Sequence, residues 1–239
     1  MIYLLLDLAR TFTLKQPYTL DLSDPGFVRM GDPSRSIRQQ LQDMAANGVS
    51  AWGYIEMQYL LLSSVLVVAG SPPENWPPLF GGIREAWSLQ QLWGRVWHQM
   101  LRNSLIPWGK AAYRFLGLEK GSAAATAVML VIGFGTSAAG HALAIWTVDH
   151  KSGGGAAAFF LMQGVGIGME LVVCWIYGRI RGEVGEKEKR WGKVVGFVWV
   201  IIWVTWTTPL QGNEFVEIGL FKTDPVPWSP IRSTLALLG

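Results

Sequence analysis

Apolar and polar positions alternate along this chain on a long scale. Four apolar stretches, at residues 49–70, 123–146, 156–177 and 194–208, are separated by polar, turn-rich segments. About 20 apolar residues cross a bilayer as one helix. The pattern therefore predicts an all-α, polytopic integral membrane protein with about four transmembrane helices. The first stretch carries Glu56, and its most apolar part is 59–69. Between the first two stretches lies 71–121, opened by Pro72-Pro73 and Pro77-Pro78, with further turns expected at Gly81-Gly82 and Ile106-Pro107. Residues 151–155 read as a tight hairpin loop, which makes the second and third spans antiparallel neighbours. Residues 7–48 are polar and irregular, with a short extended piece expected over 11–18 and a short helix over 36–45. The resulting division is an N-terminal polar segment 1–48, a transmembrane unit 49–210 and a tail 211–239 without a spanning stretch.

One segment has a different period. Ser88-Leu89-Gln90-Gln91 reads as a capping box, so a helix is expected to start at Leu89. On its wheel Leu89, Leu92, Trp93, Val96, Trp97, Met100 and Leu101 share one broad face. Gln91, Arg95, His98 and Arg102 fall on the other. That is an amphipathic helix lying in the membrane interface.

Composition supports the membrane reading. Half of the residues are hydrophobic and 15% are charged, against about 25% in soluble domains. The chain has 13 Trp, a residue that favours the bilayer interface. The net charge of +3 is small and its basic residues form no long tract, which excludes nucleic acid as an expected partner. The basic residues gather in 84–120 and 179–193, both placed on the cytosolic side by the positive-inside rule. The single cysteine, Cys174, excludes a disulfide framework and reads as a small core hydrophobe. Met1 to Leu6 is too short to span and lacks the features of a signal peptide.

Candidate chemistry centres on few residues. Arg95 and Arg102 have two readings: they snorkel to lipid headgroups, or their forked donors meet the phosphates of a nucleotide-containing acyl donor. Of the three histidines, His150 sits in a loop and reads as solvated. His141 lies inside the second span, where an ionisable residue must face protein or water. It is either a hydrogen-bonded structural residue or a functional one. Gly164, Gly166 and Gly168 lie within a span and follow no strand, so they form a helix-packing face and not a nucleotide loop. Counting depth at 1.5 Å per residue puts His141 about 8 Å from the hairpin side and Glu170 about 21 Å from it. Gln163 is much nearer the depth of His141 and is the expected polar neighbour from the third span. The alternative is that Gln163 faces another helix and His141 bonds to Thr136, Ser137 or a backbone carbonyl.

The run Pro78-Leu79-Phe80, Ala86-Trp87-Ser88-Leu89 and Leu92-Trp93-Gly94-Arg95-Val96-Trp97-His98-Gln99 with Arg102 resembles the signature of wax-synthase-like membrane-bound O-acyltransferases. Ser137-Ala138-Ala139-Gly140-His141 resembles the small-residue stretch before that family's catalytic histidine, with Ala138 in place of its glycine. The resemblance is strongest over 76–146 and is similar to the fungal members that acetylate secondary metabolites. It implies acyl transfer, acetyl or longer, from acyl-CoA to the hydroxyl of a hydrophobic acceptor such as a terpenoid. His141 would be general base and His98 the donor to the developing oxyanion, with Trp97 a second candidate. Trp93, Arg95, Trp97, Arg102 and Gln163 would bind substrate. No metal and no permanently bound cofactor is implied, acyl-CoA being a co-substrate. The partners implied are a lipid bilayer, acyl-CoA and a hydrophobic alcohol, in a multi-pass protein of the endoplasmic reticulum. Family members have more N-terminal spans, and Tyr3-Leu4-Leu5-Leu6-Asp7-Leu8 resembles the end of such a region, so a truncated product is expected. Two alternatives stay open. Glu56 and Glu170 would suit a membrane-integral terpene cyclase working through intramembrane acids. A non-catalytic membrane remnant would need none of these residues.

Overall fold

Helix starts are set by small polar residues. Ser36 accepts from the Gln39 amide at 3.3 Å while Gln39 returns a bond to the Ser36 amide at 2.8 Å, a closed capping box. Ser122 accepts from the Ala125 amide at 3.1 Å. These caps open the two first spans of a computed structural model that describes residues 1–19, 22–100, 102–181, 186–220 and 228–238.

The helices are α1 (Ile2–Thr13), α2 (Ile37–Val68), α3 (Leu89–Gln91), α4 (Arg102–Phe115), α5 (Ala123–Trp146), α6 (Gly154–Arg181), α7 (Glu186–Glu217) and α8 (Pro230–Leu238). No strand occurs among the described residues. Of these helices, α2, α5, α6 and α7 are long and apolar enough to cross a membrane, the number expected. Much of their apolar surface faces outward, including Leu61, Val131, Val173 and Ile202. An all-helical backbone satisfies its own polar groups in lipid.

Several boundaries differ from the sequence expectation. The short helix at 36–45 and the first span are one helix, because Asn47 donates back to the Asp43 carbonyl at 2.9 Å and a single Gly48 does not break it. Residues 2–13 are helical, so the extended piece expected from Thr11 is absent; the Thr13 hydroxyl is absorbed by the Ala9 carbonyl at 2.9 Å. Pro107 lies inside α4 and not in a turn. α7 runs on through Pro209 to Glu217. The hydroxyls of Thr207 and Thr208 donate to carbonyls one turn back, on Trp203 and Val204, at 2.9 and 2.7 Å. Cys174 is exposed on α6 and not in the core.

The chain divides into two compact units, 1–78 with 212–239, and 79–211. In the first, α1 packs against α2 and α8. Asp7, buried there, accepts from the Ser229 hydroxyl and, at 3.0 Å, from the Ile231 amide. Arg35 meets Asp43 at 2.6 Å, both side chains 4% exposed.

The second unit is built on the α5–α6 hairpin. Asp149 ties its loop by accepting from the Lys151 amide at 3.1 Å and the Ser152 hydroxyl at 3.0 Å. Gly153 turns the chain at φ 123°, where a Cβ would sit 2.7 Å from the Ala142 carbonyl oxygen. Its core joins Leu89, Ile167, Val200 and Trp203. The glycine face of α6 is uneven. A Cβ on Gly166 would meet Leu89 at 2.5 Å and Trp203 at 2.7 Å, Gly164 approaches Phe134, and Gly168 has nothing near it.

Candidate functional site

The segment after Ser88 does not form the long amphipathic helix expected of it. Ser88 caps the Gln91 amide at 3.0 Å, and α3 lasts one turn. A π-helical turn follows over Leu92–Val96, closed by the Trp97 amide on the Leu92 carbonyl at 2.7 Å. Trp97 is already extended, at φ −69° and ψ 157°. The reason is a competing pairing: the Gly81 amide donates to the Val96 carbonyl at 2.9 Å and the Gln99 amide to Leu79 at 3.1 Å. The approach requires glycine, since a Cβ on Gly81 would lie 2.2 Å from the Arg95 carbonyl oxygen.

This break disperses the expected polar face. Arg95 is exposed, His98 is half-buried, and α4 starts afresh at Arg102. The side chain of Arg102 lies outside the described residues. The amides of Leu89 and Gln90 are taken by Glu170 of α6, at 2.6 and 3.2 Å. All of the first amides of the short helix are thereby paired.

An aromatic cluster lies below the π turn. Trp93 packs edge-on against Trp97, Phe134, Phe159 and Phe160, with ring centroids 5.8 to 6.2 Å apart. Phe80 packs against Trp97 at 5.5 Å and His98 at 6.1 Å. His141 stacks on Phe160 at 4.0 Å and 32°. Such ring pairs contribute about 0.5–1.5 kcal/mol each beyond burial. π turns of this kind interrupt helices at functional sites.

The two histidines have distinct hydrogen-bonding states. His141 Nδ1 lies 2.9 Å from the Ser137 carbonyl oxygen. A carbonyl only accepts, so Nδ1 carries the proton and Nε2 is left with its lone pair. His98 Nδ1 is buried with no partner beyond its own backbone. Burial lowers the pKa of His98 first, and electrostatic interaction with His141 second. His98 is therefore neutral at pH 7, and the two imidazoles are within electrostatic reach.

Gln163 is fully buried, but it is not the neighbour of His141. Its Nε2 donates to the Phe159 carbonyl at 3.0 Å and to Thr207 Oγ1 at 3.1 Å. Its Oε1 accepts from Trp93 Nε1 at 3.3 Å. Phe160 occupies the place beside His141, whose own helix supplies its hydrogen bond. Depth alone located Gln163 near the site but could not tell that Phe160, one turn away on the same face of α6, meets the imidazole.

Of the sequence candidates, Trp93, His141 and Gln163 thus meet at Phe159 and Phe160, Trp97 and His98 join through Trp93 and Phe80, and Arg95 stays on the surface. Phe80 belongs to the run 78–99 that carries the resemblance, with no role expected of it. Nothing in the periodicity of the third span distinguishes Phe159 and Phe160.

Residues 76–162, which carry this arrangement, match the model of the membrane bound O-acyl transferase family. The chain is 31% identical to the acetyltransferase aurG of Calcarisporium arbuscula over 87% of its own length and 51% of that protein. It is 33% identical to the acetyltransferase ple2 of Rhodocybe pseudopiperita, covering 74% and 46%. With the acetyltransferase eriL of Hericium erinaceus it shares 29%, covering 87% and 52%. The chain spans about half the length of these relatives. No solved structure matches it.

Proposed function

Since this chain is a relative of the membrane bound O-acyl transferase family, we propose that it moves an acyl group, acetyl in the first instance, from acyl-CoA to the hydroxyl of a hydrophobic acceptor at the membrane. The observation that carries the reading is the state of His141: with Nδ1 committed to Ser137, its Nε2 is a free base beside an aromatic, half-buried site.

In this mechanism the acceptor oxygen attacks the thioester carbonyl carbon while His141 Nε2 takes its proton. The neutral His98 donates a hydrogen bond to the developing oxyanion. Collapse breaks the C–S bond, and the proton held by His141 passes to the leaving thiolate. The products are an ester and free CoA thiol. Trp93 and Trp97, with Gln163 behind them, shape the apolar part of the site. Arg95 and Arg102 bind the phosphates of the donor, and no metal or permanently bound cofactor takes part. A terpenoid or other secondary-metabolite alcohol is the favoured acceptor, and the endoplasmic reticulum the favoured membrane.

The cyclase reading loses support from Glu170, whose two oxygens both serve as acceptors for backbone amides and are not poised to donate a proton. The test is a free-thiol assay on membranes containing the chain, with acetyl-CoA and a terpenoid alcohol. Alcohol-dependent thiol release is expected. Turnover of a polyprenyl epoxide without acyl-CoA would instead establish the cyclase.

A further inference from the structure

We infer that Glu170 is a positioning residue for the Trp93-to-His98 segment, tethering it from α6 so that His98 is held in register with His141. The inference rests on the acyl-transfer reading for its kinetic consequence.

Four residues of α6 are spaced three, four and three apart and so lie on one helical face: Phe160, Gln163, Ile167 and Glu170. Phe160 stacks under His141. Gln163 holds the indole of Trp93. Ile167 packs in the core that contains Leu89. Glu170 accepts from the amides of Leu89 and Gln90. This face spans about 15 Å and fixes both histidine-bearing elements against one rigid rod.

Glu170 is the polar anchor at its far end. The segment it holds is short and contains a π turn, so its own backbone bonds resist displacement weakly. Without a carboxylate, the part-buried amide of Leu89 and the exposed amide of Gln90 would lose the acceptor that ties them to α6. The segment would then shift along α6, and His98 would move with it. A misplacement of about 1 Å costs up to about a hundredfold in rate.

The experiment compares wild type, Glu170→Ala and Glu170→Gln in lipid nanodiscs. Gln keeps the shape and one acceptor oxygen. Hydrogen–deuterium exchange is read on the peptide covering 88–98 and on peptides of α5, and acetyl transfer is measured per folded molecule. For Glu170→Ala the expected result is at least about tenfold faster exchange confined to 88–98. With it should come a kcat about ten- to a hundredfold lower, and an acceptor KM within about twofold of wild type. Glu170→Gln should recover most of both. Unchanged exchange in an active protein overturns the tether. Faster exchange with unchanged kcat overturns the positioning role. Loss that appears only as less folded protein makes Glu170 structural and also overturns it. A wild type inactive with every acyl-CoA tested fails at the acyl-transfer reading instead, and takes the kinetic role with it.

Discussion

Replacing Gln163 by Leu tests whether a buried amide controls Trp93. Gln163 is 0% exposed and makes three side-chain hydrogen bonds. Leu has nearly its volume and none of its polarity. The Phe159 carbonyl keeps its helical partner, and Thr207 still donates to the Trp203 carbonyl, so those losses cost about 0.5–1 kcal/mol each. Trp93 Nε1 loses its acceptor outright, at about 1–3 kcal/mol for an unpaired buried donor. The summed loss is about 2–5 kcal/mol, offset in part by better burial of Leu. A double-mutant cycle isolates the indole. In a Trp93→Phe background there is no N–H to strand, so Gln163→Leu should cost about 1–2 kcal/mol less than in wild type. Thermal or denaturant unfolding in nanodiscs reads stability, and the free-thiol assay reads turnover. A coupling of about 1.4 kcal/mol corresponds to tenfold in rate if Trp93 shapes the reacting site. Additive costs in both assays would show that the 3.3 Å contact does not hold the ring and that Gln163 does not control Trp93.

Three further outcomes are expected. His141→Ala should reduce transfer by at least about a hundredfold while membrane insertion, followed by protease protection, is unchanged; activity within a few-fold of wild type would refute the base assignment. Arg95→Gln should raise the KM for acyl-CoA several-fold and leave the acceptor KM unaltered, whereas equal changes in both would return this exposed residue to a lipid-headgroup role. His98 gives a pH signature: its pKa lies below the ordinary value of about 6.5, from burial first and His141 second. Its contribution to stability is complete above about pH 6.5 and is lost as pH falls through the lower folded value, since the unfolded chain binds the proton first. Unfolding temperatures from about pH 7.5 to about pH 5 should therefore fall more steeply for wild type than for His98→Gln, and parallel slopes would count against a buried, neutral His98.

The sequence by itself determined that the chain is helical, that four stretches can span a bilayer, and where one of them runs, 123–146. Those properties follow from local composition: long apolar runs exceed what any turn signal can interrupt, and lipid leaves the backbone only its own helix bonds. It also named Trp93, Trp97, His98, His141 and Gln163, because rare polar or aromatic residues in fixed order are visible without a fold. What lay beyond it were contacts between segments distant in sequence. Helical periodicity extended the segment after Ser88 through Arg102, but residues 79–81 compete for its backbone and end it at Trp97. Depth counting paired Gln163 with His141, yet the rotation of α6 turned Phe160 to the imidazole and Gln163 to Trp93 and Thr207. Glu170 read as a costly acid in a span, and only the approach of the Leu89 and Gln90 amides made it a cap. A helix pattern fixes which residues share a face. Which neighbour that face meets is decided by packing, and here glycines at 81 and 166 admit backbone and side chains that no larger residue would.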